Sequence, residues 1–565
     1  MAGTVAFVGP NADSNCDFDS IQAAMDSGAT DIFVSNAMQY NENLIVPSTN
    51  NNVLIDGKYT SCSLASIDIT VQSAVSGHLS DAPVIIVLAS SERKFVTIKN
   101  MLLVNGTGAG FIPAGGITMA SSNDILNIDN TTVALNEGFV GGGVYIGTTS
   151  DTPFEDRPIL ALSNKSQINN NLSTSDTLGG GGVFCENGSV IIRDNSSIKR
   201  NTTEGSGGGI YAFGCVVNEW SGSSENNDAE KGIYENKAKI HGGGIFATQD
   251  STIQIGSASS FSRLFGSVIN NEADSDNDGI GDGGGIYTET DEDAVVLLGS
   301  LIKGNESGGN GGGIYAQNGS FVSARRQNDT CWSDYKCNQI IDNYASNSNG
   351  NGGGMYFTNG GYGIIETAYF EGNRADNGTA IYTTSDPSYT TIQNATFFKN
   401  GNNGTDGFSD NNVIMVNNNA SINTLHSTFV NNNETVSTFR SQNDSNLTVR
   451  ATIINSETAE SAIRIASSLP VTAECVNTNL PPPVGTDVFF QAITFVDAAN
   501  GDFHLSSEDN GAIDICIDYE IPIDGEGDER PFNNPDVPNF RGPSDVGADE
   551  YTDIIFKNGF EENIN

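Results

Sequence analysis

Pairs of apolar residues follow runs of glycine at regular intervals along the chain. One copy reads Gly207-Gly208-Gly209-Ile210-Tyr211, and most copies share its order of glycines, an aliphatic residue and an aromatic residue. Successive copies lie 26 to 41 residues apart, and a recurring period in this range predicts a solenoid of stacked coils. The first apolar residues of the copies are Ile117, Val144, Val183, Ile210, Ile245, Ile286, Ile314, Met355 and Ile381.

A second pattern runs in phase with the first: an apolar residue, two spacers and an asparagine. It recurs from Asn105 to Asn432 with a mean spacing of about 33 residues. One asparagine per coil at the same corner predicts a ladder of side-chain amides between coils. Clear copies are Ile198/Asn201, Ile302/Asn305, Ile340/Asn343, Phe370/Asn373, Phe397/Asn400 and Phe429/Asn432.

The segments between these patterns are short, β-branched and bounded by turn residues, as strands are. No apolar stripe of helical period is long enough for helical repeats. One coil reads as strands at 183–184, 189–192 and 197–198, followed by a corner at 201–209. The sequence therefore predicts an all-β fold, a parallel β-helix, and the crossover preference of parallel strands makes it right-handed.

Positions that recur once per coil are expected to lie above one another in the interior. Strand neighbours in successive coils would be about 4.8 Å apart. Glycine at the corner would allow positive φ and a close approach of backbones. The predicted interior ladder includes Ile210, Ile245, Ile286 and Ile314.

The two ends of the chain depart from the period. At the N-terminus, 19–25 predicts a short helix with Ser20 or Asp19 as its N-cap, and this helix would cover the open end of the first coil. Near the C-terminus, Pro470, 481–483 and Pro522 break the pattern. We expect a cap with the first coils at 1–65, the repeat stack at 66–465 and a closing segment at 466–565.

Three stretches resemble known families. The N-terminal helix and the strands at 31–34, 43–46 and 53–57 resemble pectin-lyase-like β-helix proteins. The glycine and asparagine patterns resemble the GG[AI] and FxxN repeats of polymorphic outer-membrane proteins, which are surface adhesins of intracellular bacteria. Residues 512–514, 524–528 and 545–551 resemble the closing segment of secreted bacterial β-helix proteins of the choice-of-anchor type. The resemblance implies an exported bacterial surface protein.

The net charge of the chain restricts the classes of partner that it can bind. Lysine and arginine number 25 against 69 aspartates and glutamates, a formal net charge of −44. Such a surface repels nucleic acid and anionic membranes, and it favours calcium binding. No stretch approaches the roughly 20 apolar residues of a membrane span. The chain begins without a signal peptide, so we expect a mature protein whose leader has been removed.

Eight cysteines favour disulfides over a metal centre, because none has the spacing of a zinc motif. Disulfides are typical of exported proteins, which places the protein in secretion or on the cell surface. Proximity along the chain suggests the pairs Cys16–Cys62, Cys185–Cys215, Cys331–Cys337 and Cys475–Cys516.

One acidic loop has the spacing of a calcium site. Asp274, Asp276, Asp278 and Asp282 occupy positions 1, 3, 5 and 9, and glycine at position 6 allows a sharp turn. The loop resembles those of thrombospondin type 3 and dockerin repeats. Gly285 stands at position 12, so a closing carboxylate would come from 291–293; a solvated acidic loop without an ion is the alternative. A weaker second candidate is 524–528.

Signatures of polysaccharide-active β-helix enzymes are missing from the sequence. There is no Gly-His-Gly, and the arginines lack the spacing of a lyase; His241, before a glycine run, reads as a corner residue. We lean towards a protein that is not an enzyme, although a carboxylate pair formed between coils stays open. Trp220 and Trp332 lie in predicted loops, where they are either a carbohydrate platform or buried anchors.

These observations favour a secreted or surface-exposed adhesin or binding scaffold stabilised by calcium. Its expected partners are a host-cell or matrix surface, with carbohydrate as one ligand class. A polysaccharide lyase or glycoside hydrolase is the first alternative, and a structural filament module is the second.

Overall fold

The computed structural model describes residues 4–10, 13–49, 51–68, 70–77, 81–109, 113–222, 230–257, 265–291, 293–325, 338–401, 412–481, 487–533 and 539–551. The chain divides into two compact units. The N-terminal unit comprises Met1–Ser257, Leu264–Val295 and Asn305–Gly308, and the C-terminal unit comprises Ala258–Arg263, Val296–Gly304 and Gly309–Asn565. Strands hold 46% of the residues and helices 2%, which confirms the all-β prediction.

In the N-terminal unit, parallel strands pair with the equivalent strand one coil away, in three sheets that we call A, B and C. Sheet A contains Val5–Val8, Asp31–Ser35, Tyr40–Asn41, Asn52–Tyr59, Ser73–Ser76, Phe95–Lys99, Met101–Val104, Ile125–Asp129, Thr132–Ala134, Ile159–Ser163, Gln167–Asn169, Ser189–Arg193, Ser197–Lys199, Val216–Trp220, Gly232–Tyr234, Thr252–Gly256 and Gly266–Ile269. Sheet B contains Leu44–Val46, Ile85–Val87, Ile117–Ala120, Val144–Gly147, Val183–Glu186, Ile210–Phe213, Ile245–Thr248 and Ile286–Thr288. Sheet C contains Glu137–Gly138, Leu172–Ser173, Thr202–Thr203, Lys237–Ala238, Glu272–Ala273 and Glu306–Ser307.

The C-terminal unit repeats the arrangement in sheets that we call D and E. Sheet D contains Ser300–Lys303, Phe321–Ala324, Gln339–Ile341, Tyr362–Glu366, Tyr369–Glu371, Tyr389–Gln393, Thr396–Phe398, Ser421–Leu425, Thr428–Val430, Asn446–Asn455, Thr472–Thr478 and Val488–Phe489. Sheet E contains Ile314–Ala316, Met355–Phe357, Ile381–Thr384, Asn412–Asn417, Ser437–Gln442 and Ser461–Ala466. The remaining strands are Tyr344–Ala345, Ala294–Leu298, which falls on the division, and the antiparallel pair Phe495–Asp497 and Asp502–Leu505. Short helices are Ile21–Asp26, Phe154–Asp156 and Ala498–Asn500.

The parallel pairing confirms a right-handed parallel β-helix. Sheet B shows its register: Val183 pairs with Ile210, Ile210 with Ile245, and Ile245 with Ile286. All four side chains are fully buried, so they form the predicted interior ladder. Ile314 belongs to the C-terminal unit, where it pairs with Met355.

The predicted corner of each coil is partly a strand. Thr202–Thr203 pairs with Leu172–Ser173 below and Lys237–Ala238 above, so this coil has four strands where the sequence predicted three. Two residues are too few to show an alternating pattern, which is why the hydrophobic periodicity did not reveal sheet C.

The asparagine ladder forms as predicted in both units. The Asn201 side-chain amide donates to Asn236 Oδ1 at 3.0 Å and to the carbonyl of Ile168 at 2.9 Å, while its backbone N–H also donates to Asn236 Oδ1. Asn105 lies outside the ladder and was wrongly included, because its amide donates to Ser76. The ladder comprises Asn136, Asn171, Asn201, Asn236, Asn271 and Asn305 in one unit, and Asn343, Asn373, Asn400 and Asn432 in the other.

Each glycine of a run has a separate structural reason. Gly207 has a φ of +70°, a left-handed conformation that strains other residues. A Cβ on Gly208 would lie 2.4 Å from the Gly243 carbonyl oxygen, and one on Gly209 would lie 2.6 Å from that of Gly244. The run therefore turns the chain and lets adjacent coils touch backbone to backbone.

Strands on either side of residues 65 and 465 pair with each other in the same sheets. Asn52–Tyr59 pairs with Phe95–Lys99, and Thr472–Thr478 pairs with Asn446–Asn455. The helix begins at Ile21, and the Ser20 hydroxyl accepts the Ala23 N–H, which confirms the predicted N-cap. Its role as a cover of the first coil stays a prediction. The described helices include none with the length and hydrophobicity that crossing a membrane requires.

Three of the predicted disulfides join cysteines that lie close along the coils. Cys16–Cys62, Cys185–Cys215 and Cys475–Cys516 close stretches of 46, 30 and 41 residues. The fourth predicted pair, Cys331–Cys337, lies outside the described residues.

Removing one rung of the asparagine ladder should destabilise the protein far more than removing an exposed asparagine. Asn373 is fully buried and bonds to Asn343, Asn400 and the Ile340 carbonyl. Asn373→Ala leaves buried polar groups unpaired, so we expect a loss of about 3 kcal/mol in the free energy of unfolding. Asn446→Ala removes an exposed side chain of the same unit and should cost less than about 0.5 kcal/mol. Urea denaturation of both variants measures the difference; equal losses would contradict a ladder that stabilises the stack.

Candidate functional site

Three of the predicted calcium ligands converge in the acidic loop. Oxygens of Asp274, Asp276 and Asp278 lie within 4.8 Å of one another. Calcium takes oxygen ligands at about 2.3–2.6 Å, so ligands on opposite sides of one ion are about 5 Å apart. The three carboxylates therefore fit around one such ion, with Asp276 and Asp278 exposed and Asp274 only 6% exposed.

The loop is shaped by hydrogen bonds to Asp274. Its two carboxylate oxygens accept the N–H groups of Asp278 at 2.8 Å and Gly279 at 2.9 Å. Gly279 has a φ of +84°, and this supplies the sharp turn predicted at position 6. Gly308, one coil on, leaves the space that the carboxylate fills, because a Cβ there would lie 1.7 Å from Asp274 Oδ2. Burial raises the pKa of Asp274, which nearby positive charge would counteract.

Asp282, the fourth predicted ligand, is not part of this cluster. Its backbone N–H donates to Nδ1 of His241 at 3.1 Å, and its carboxylate lies 4.0 Å from the same nitrogen. The His241 ring stacks on Tyr287 with 4.5 Å between centroids. The imidazole is thus the predicted corner residue, and it holds Asp282 at the edge of the loop.

The expected closing carboxylate is engaged elsewhere. Asp293 is buried; one oxygen accepts the Ser251 N–H, and the other accepts the N–H groups of Glu289 and Thr290. Of the other two candidates, Asp291 is exposed and Glu292 lies outside the described residues. Asp293 is therefore not available as the closing ligand in this arrangement, and backbone carbonyls and water are further oxygen donors that calcium accepts.

An apolar cavity of about 390 Å³ lies over the outer face of sheet B. Its floor is formed by outward-facing residues of neighbouring strands, where Tyr145 stacks on Phe184 with 5.8 Å between ring centroids. This volume is within the range of small-molecule binding sites. The described lining consists of Pro113, Ala120, Phe139, Val140, Tyr145, Leu178, Phe184, Glu186 and Phe213.

Two polar groups face this cavity as a bonded pair. The Tyr145 hydroxyl donates to Oε2 of Glu186 at 2.6 Å, and Gly147 makes room for the phenol because a Cβ there would lie 2.4 Å from its oxygen. Burial, and then the Glu186 carboxylate, raise the pKa of Tyr145, so the hydroxyl stays protonated and donates. Glu186 is the one carboxylate in the described lining, which is half of what glycoside hydrolysis ordinarily needs.

A polar cleft of about 410 Å³ follows directly along the chain from the same strands. The strands that contribute Ala120 and Tyr145 to the cavity run into turns at 121–123 and 148–156, which line the cleft. Hydroxyl, amide and carboxylate groups dominate it, from Ser90, Ser91, Ser122, Asn123, Thr149, Asp151, Thr152 and Asp156. The apolar cavity and the polar cleft are thus lined by successive segments of the same coils.

Of the two tryptophans, Trp220 lies within the described residues, and the prediction that it lies in a loop was wrong. Trp220 is half-buried at the end of a sheet A strand, in register with Arg193. Trp332 lies outside the described residues. The sequence did not predict the aromatic surface over sheet B, because its members come from several coils. The aromatic residue that follows most glycine runs could have indicated it.

The second acidic stretch adopts a different structure from a calcium loop. Asp524 is buried, and its Oδ1 accepts the N–H groups of Glu526, Gly527 and Asp528 at 2.7–2.9 Å. Its Oδ2 accepts the N–H of Glu550. Asp524 therefore closes its own turn and is not presented to a solvent cation.

Beside this turn, a buried arginine anchors the closing segment to the last coils. Arg530 pairs with Glu550 at 3.2 Å and lies 2.6 Å from Nδ1 of His426, with all three side chains shielded from water. Burial, and then the arginine charge, hold the pKa of His426 well below its usual value, so this imidazole is neutral and accepts. The pairing satisfies a charge that would otherwise be costly to bury.

No family model matches the chain, and no curated protein matches it significantly. The function must therefore be argued from the site.

The neutral state of His241 should make stability depend on pH. Burial lowers its pKa to about 4, against 6.5 in an unfolded chain. Below pH 6.5 the unfolded state binds a proton at this imidazole, whereas the folded state does not until the pH approaches 4. The free energy of unfolding therefore falls with pH, by about 2 kcal/mol at pH 5 and about 3 kcal/mol at pH 4.

Because many carboxyl groups titrate in the same range, the measurement compares the wild type with His241→Phe. Phenylalanine keeps a ring against Tyr287 and cannot titrate. Denaturant unfolding between pH 7 and 4 should show the wild type losing about 3 kcal/mol more than the variant. Parallel pH profiles would contradict the lowered pKa, because they would show that His241 binds its proton equally well in the folded and unfolded states.

Proposed function

We propose that this protein is an exported binding scaffold that recognises carbohydrate on a host-cell or matrix surface. The observation that carries the proposal is the pairing of the aromatic cavity with the polar cleft on the same coils of the N-terminal unit. Sugars present apolar ring faces and hydroxyl edges, and this surface offers aromatic rings for the first and hydrogen-bonding groups for the second.

The setting of the cavity supports the binding of a ligand. Its floor belongs to a rigid sheet, and Tyr145 and Phe184 are held by stacking, so little side-chain freedom is lost when a ligand binds. Phe139 lines the cavity and is 44% exposed, so part of its ring is open to solvent. Export is supported by the three disulfides, since such bonds persist in oxidising compartments.

Calcium is the second part of the proposal. Asp274, Asp276 and Asp278 would hold the ion, and its charge would offset the repulsion of three clustered carboxylates. The loop follows sheet C directly, and the Ser275 N–H donates to the Ala238 carbonyl of the preceding coil. Binding there would therefore stabilise the stack at that coil.

Substitution of Phe139 tests the carbohydrate proposal. A glycan array identifies the bound sugar, and calorimetry then compares Phe139→Ala with the wild type. We expect at least a tenfold loss of affinity, because an apolar contact worth about 1.4 kcal/mol or more disappears. Leu64→Ala is the control, since Leu64 is a 61% exposed apolar side chain of the same unit outside both linings, and its loss should leave affinity unchanged.

Two results would contradict this function. The absence of any bound glycan would remove the carbohydrate proposal. Release of reducing or unsaturated sugar ends during incubation would make the protein a hydrolase or lyase, with Glu186 as the first carboxylate to substitute.

Removal of calcium tests the metal proposal. At a calcium concentration 100 times the dissociation constant, the ion should add about 2.7 kcal/mol to the free energy of unfolding relative to EDTA. Asp276→Asn/Asp278→Asn should abolish this gain. Asp176→Asn/Asp250→Asn changes the charge equally at exposed positions of the same unit and should retain it. A wild-type melting temperature that EDTA does not change would rule out the calcium site.

A further inference from the structure

Three side chains from separate stretches of the closing segment converge on one point. His504 lies in the strand Asp502–Leu505, Glu526 lies in the turn closed by Asp524, and Asp549 lies between Gly547 and Glu550. Nε2 of His504 is 2.9 Å from Oε2 of Glu526. One ligand atom of each of the three residues lies within 4.8 Å of the other two.

Each member of this cluster is oriented by a further contact. Nδ1 of His504 lies 2.5 Å from Oδ1 of Asp502, and Oδ2 of Asp549 accepts the Leu505 N–H at 2.7 Å. A carboxylate on the far ring nitrogen is the partner that typically orients a metal-ligating histidine and raises its basicity. Asp502 therefore leaves Nε2 directed towards Glu526 and Asp549.

The charges around this point favour a cation. The Asp549 residue is 6% exposed and the Glu526 side chain 12% exposed, so two carboxylates are drawn together largely out of water. Shielded carboxylates require a compensating positive charge. One imidazole supplies at most a single charge, and it is shared with Asp502.

The donor set selects the class of ion. Calcium is bound by oxygen alone, whereas zinc and similar divalent ions accept imidazole nitrogen together with carboxylate oxygen. Zinc bonds to these atoms are about 2.0–2.2 Å long, so ligand atoms on one ion lie within about 4.4 Å of each other. The observed limit of 4.8 Å reaches that geometry with small side-chain rotations.

We propose that His504, Glu526 and Asp549 form a binding site for zinc or a similar divalent ion in the closing segment. Three protein ligands leave a fourth position open for water or a group from a ligand. This site is separate from the Asp274 loop in donor type, and it does not depend on carbohydrate binding. A protonated His504 bridging Asp502 and Glu526 without any ion is the competing arrangement.

Cobalt titration of the chelator-treated full chain separates these two arrangements. Cobalt in a mixed nitrogen and oxygen site absorbs visible light, so the wild type should develop bands that saturate at one equivalent. Zinc should displace them, and excess calcium should not. All titrations, including those of the otherwise wild-type chain, use the double variant Asp276→Asn/Asp278→Asn, because these substitutions remove weak metal binding at the Asp274 loop.

Substitutions assign the bands to their ligands. His504→Gln should abolish them, and Asp502→Asn, which acts through His504, should weaken binding by about 10–100-fold. His241→Gln makes the same change outside the cluster and should leave the titration unchanged. If His504→Gln does not fold, as judged by circular dichroism, Glu526→Gln and Asp502→Asn take its place. Absence of saturable cobalt or zinc binding in the wild type, or unaltered binding in the folded variants, would overturn the site in favour of the protonated bridge.

Discussion

The close approach of successive coils, at about 4.8 Å, is the constraint on which the rest of this structure depends. At the glycine corner this spacing leaves no room for a Cβ, as Gly208 and Gly209 show. In the interior it requires each side chain to tolerate a copy of itself directly above. Asparagine meets this requirement in a polar setting because its amide both donates and accepts, and Asn201 and Asn236 use both capacities. Isoleucine meets it in an apolar setting, as in the pairing of Ile210 with Ile245.

This constraint explains why the architecture could be predicted from the sequence and where the prediction was wrong. A residue type fixed by contact with its own copy repeats along the chain, so the pattern predicts the coil. Asn105 shows the limit of the method, since the asparagine pattern is present but displaced by one position. Leu103 is in register with Val133, and Gly106 therefore stands where Asn136 stands in the next coil. The glycine supplies only its N–H, which donates to Asn136 Oδ1.

The candidate sites differ in how far apart their residues lie in the sequence. The Asp274 loop could be found because its three converging carboxylates lie within five consecutive residues. The partner of Asp282 could not be found, because His241 is 41 residues away and meets it only through the stacking of coils. The aromatic cavity and the His504 cluster escaped prediction for the same reason: their members are far apart in the sequence, and only the folded chain brings them together. In the closing segment the sequence singled out an acidic stretch, and the structure showed that Asp524 turns inward while Glu526 faces a histidine.

The disulfides limit how far the chain can extend under tension. A solenoid under tension yields by peeling coils from its ends, since each coil is held only by its neighbours. Cys185–Cys215 closes a stretch of 30 residues, which would otherwise extend by about 100 Å at roughly 3.3 Å per residue. Cys16–Cys62 and Cys475–Cys516 shorten the extensible chain near the two termini in the same way. Force on the chain would then lengthen it in limited steps, and reduction of the disulfides would free the residues that they enclose.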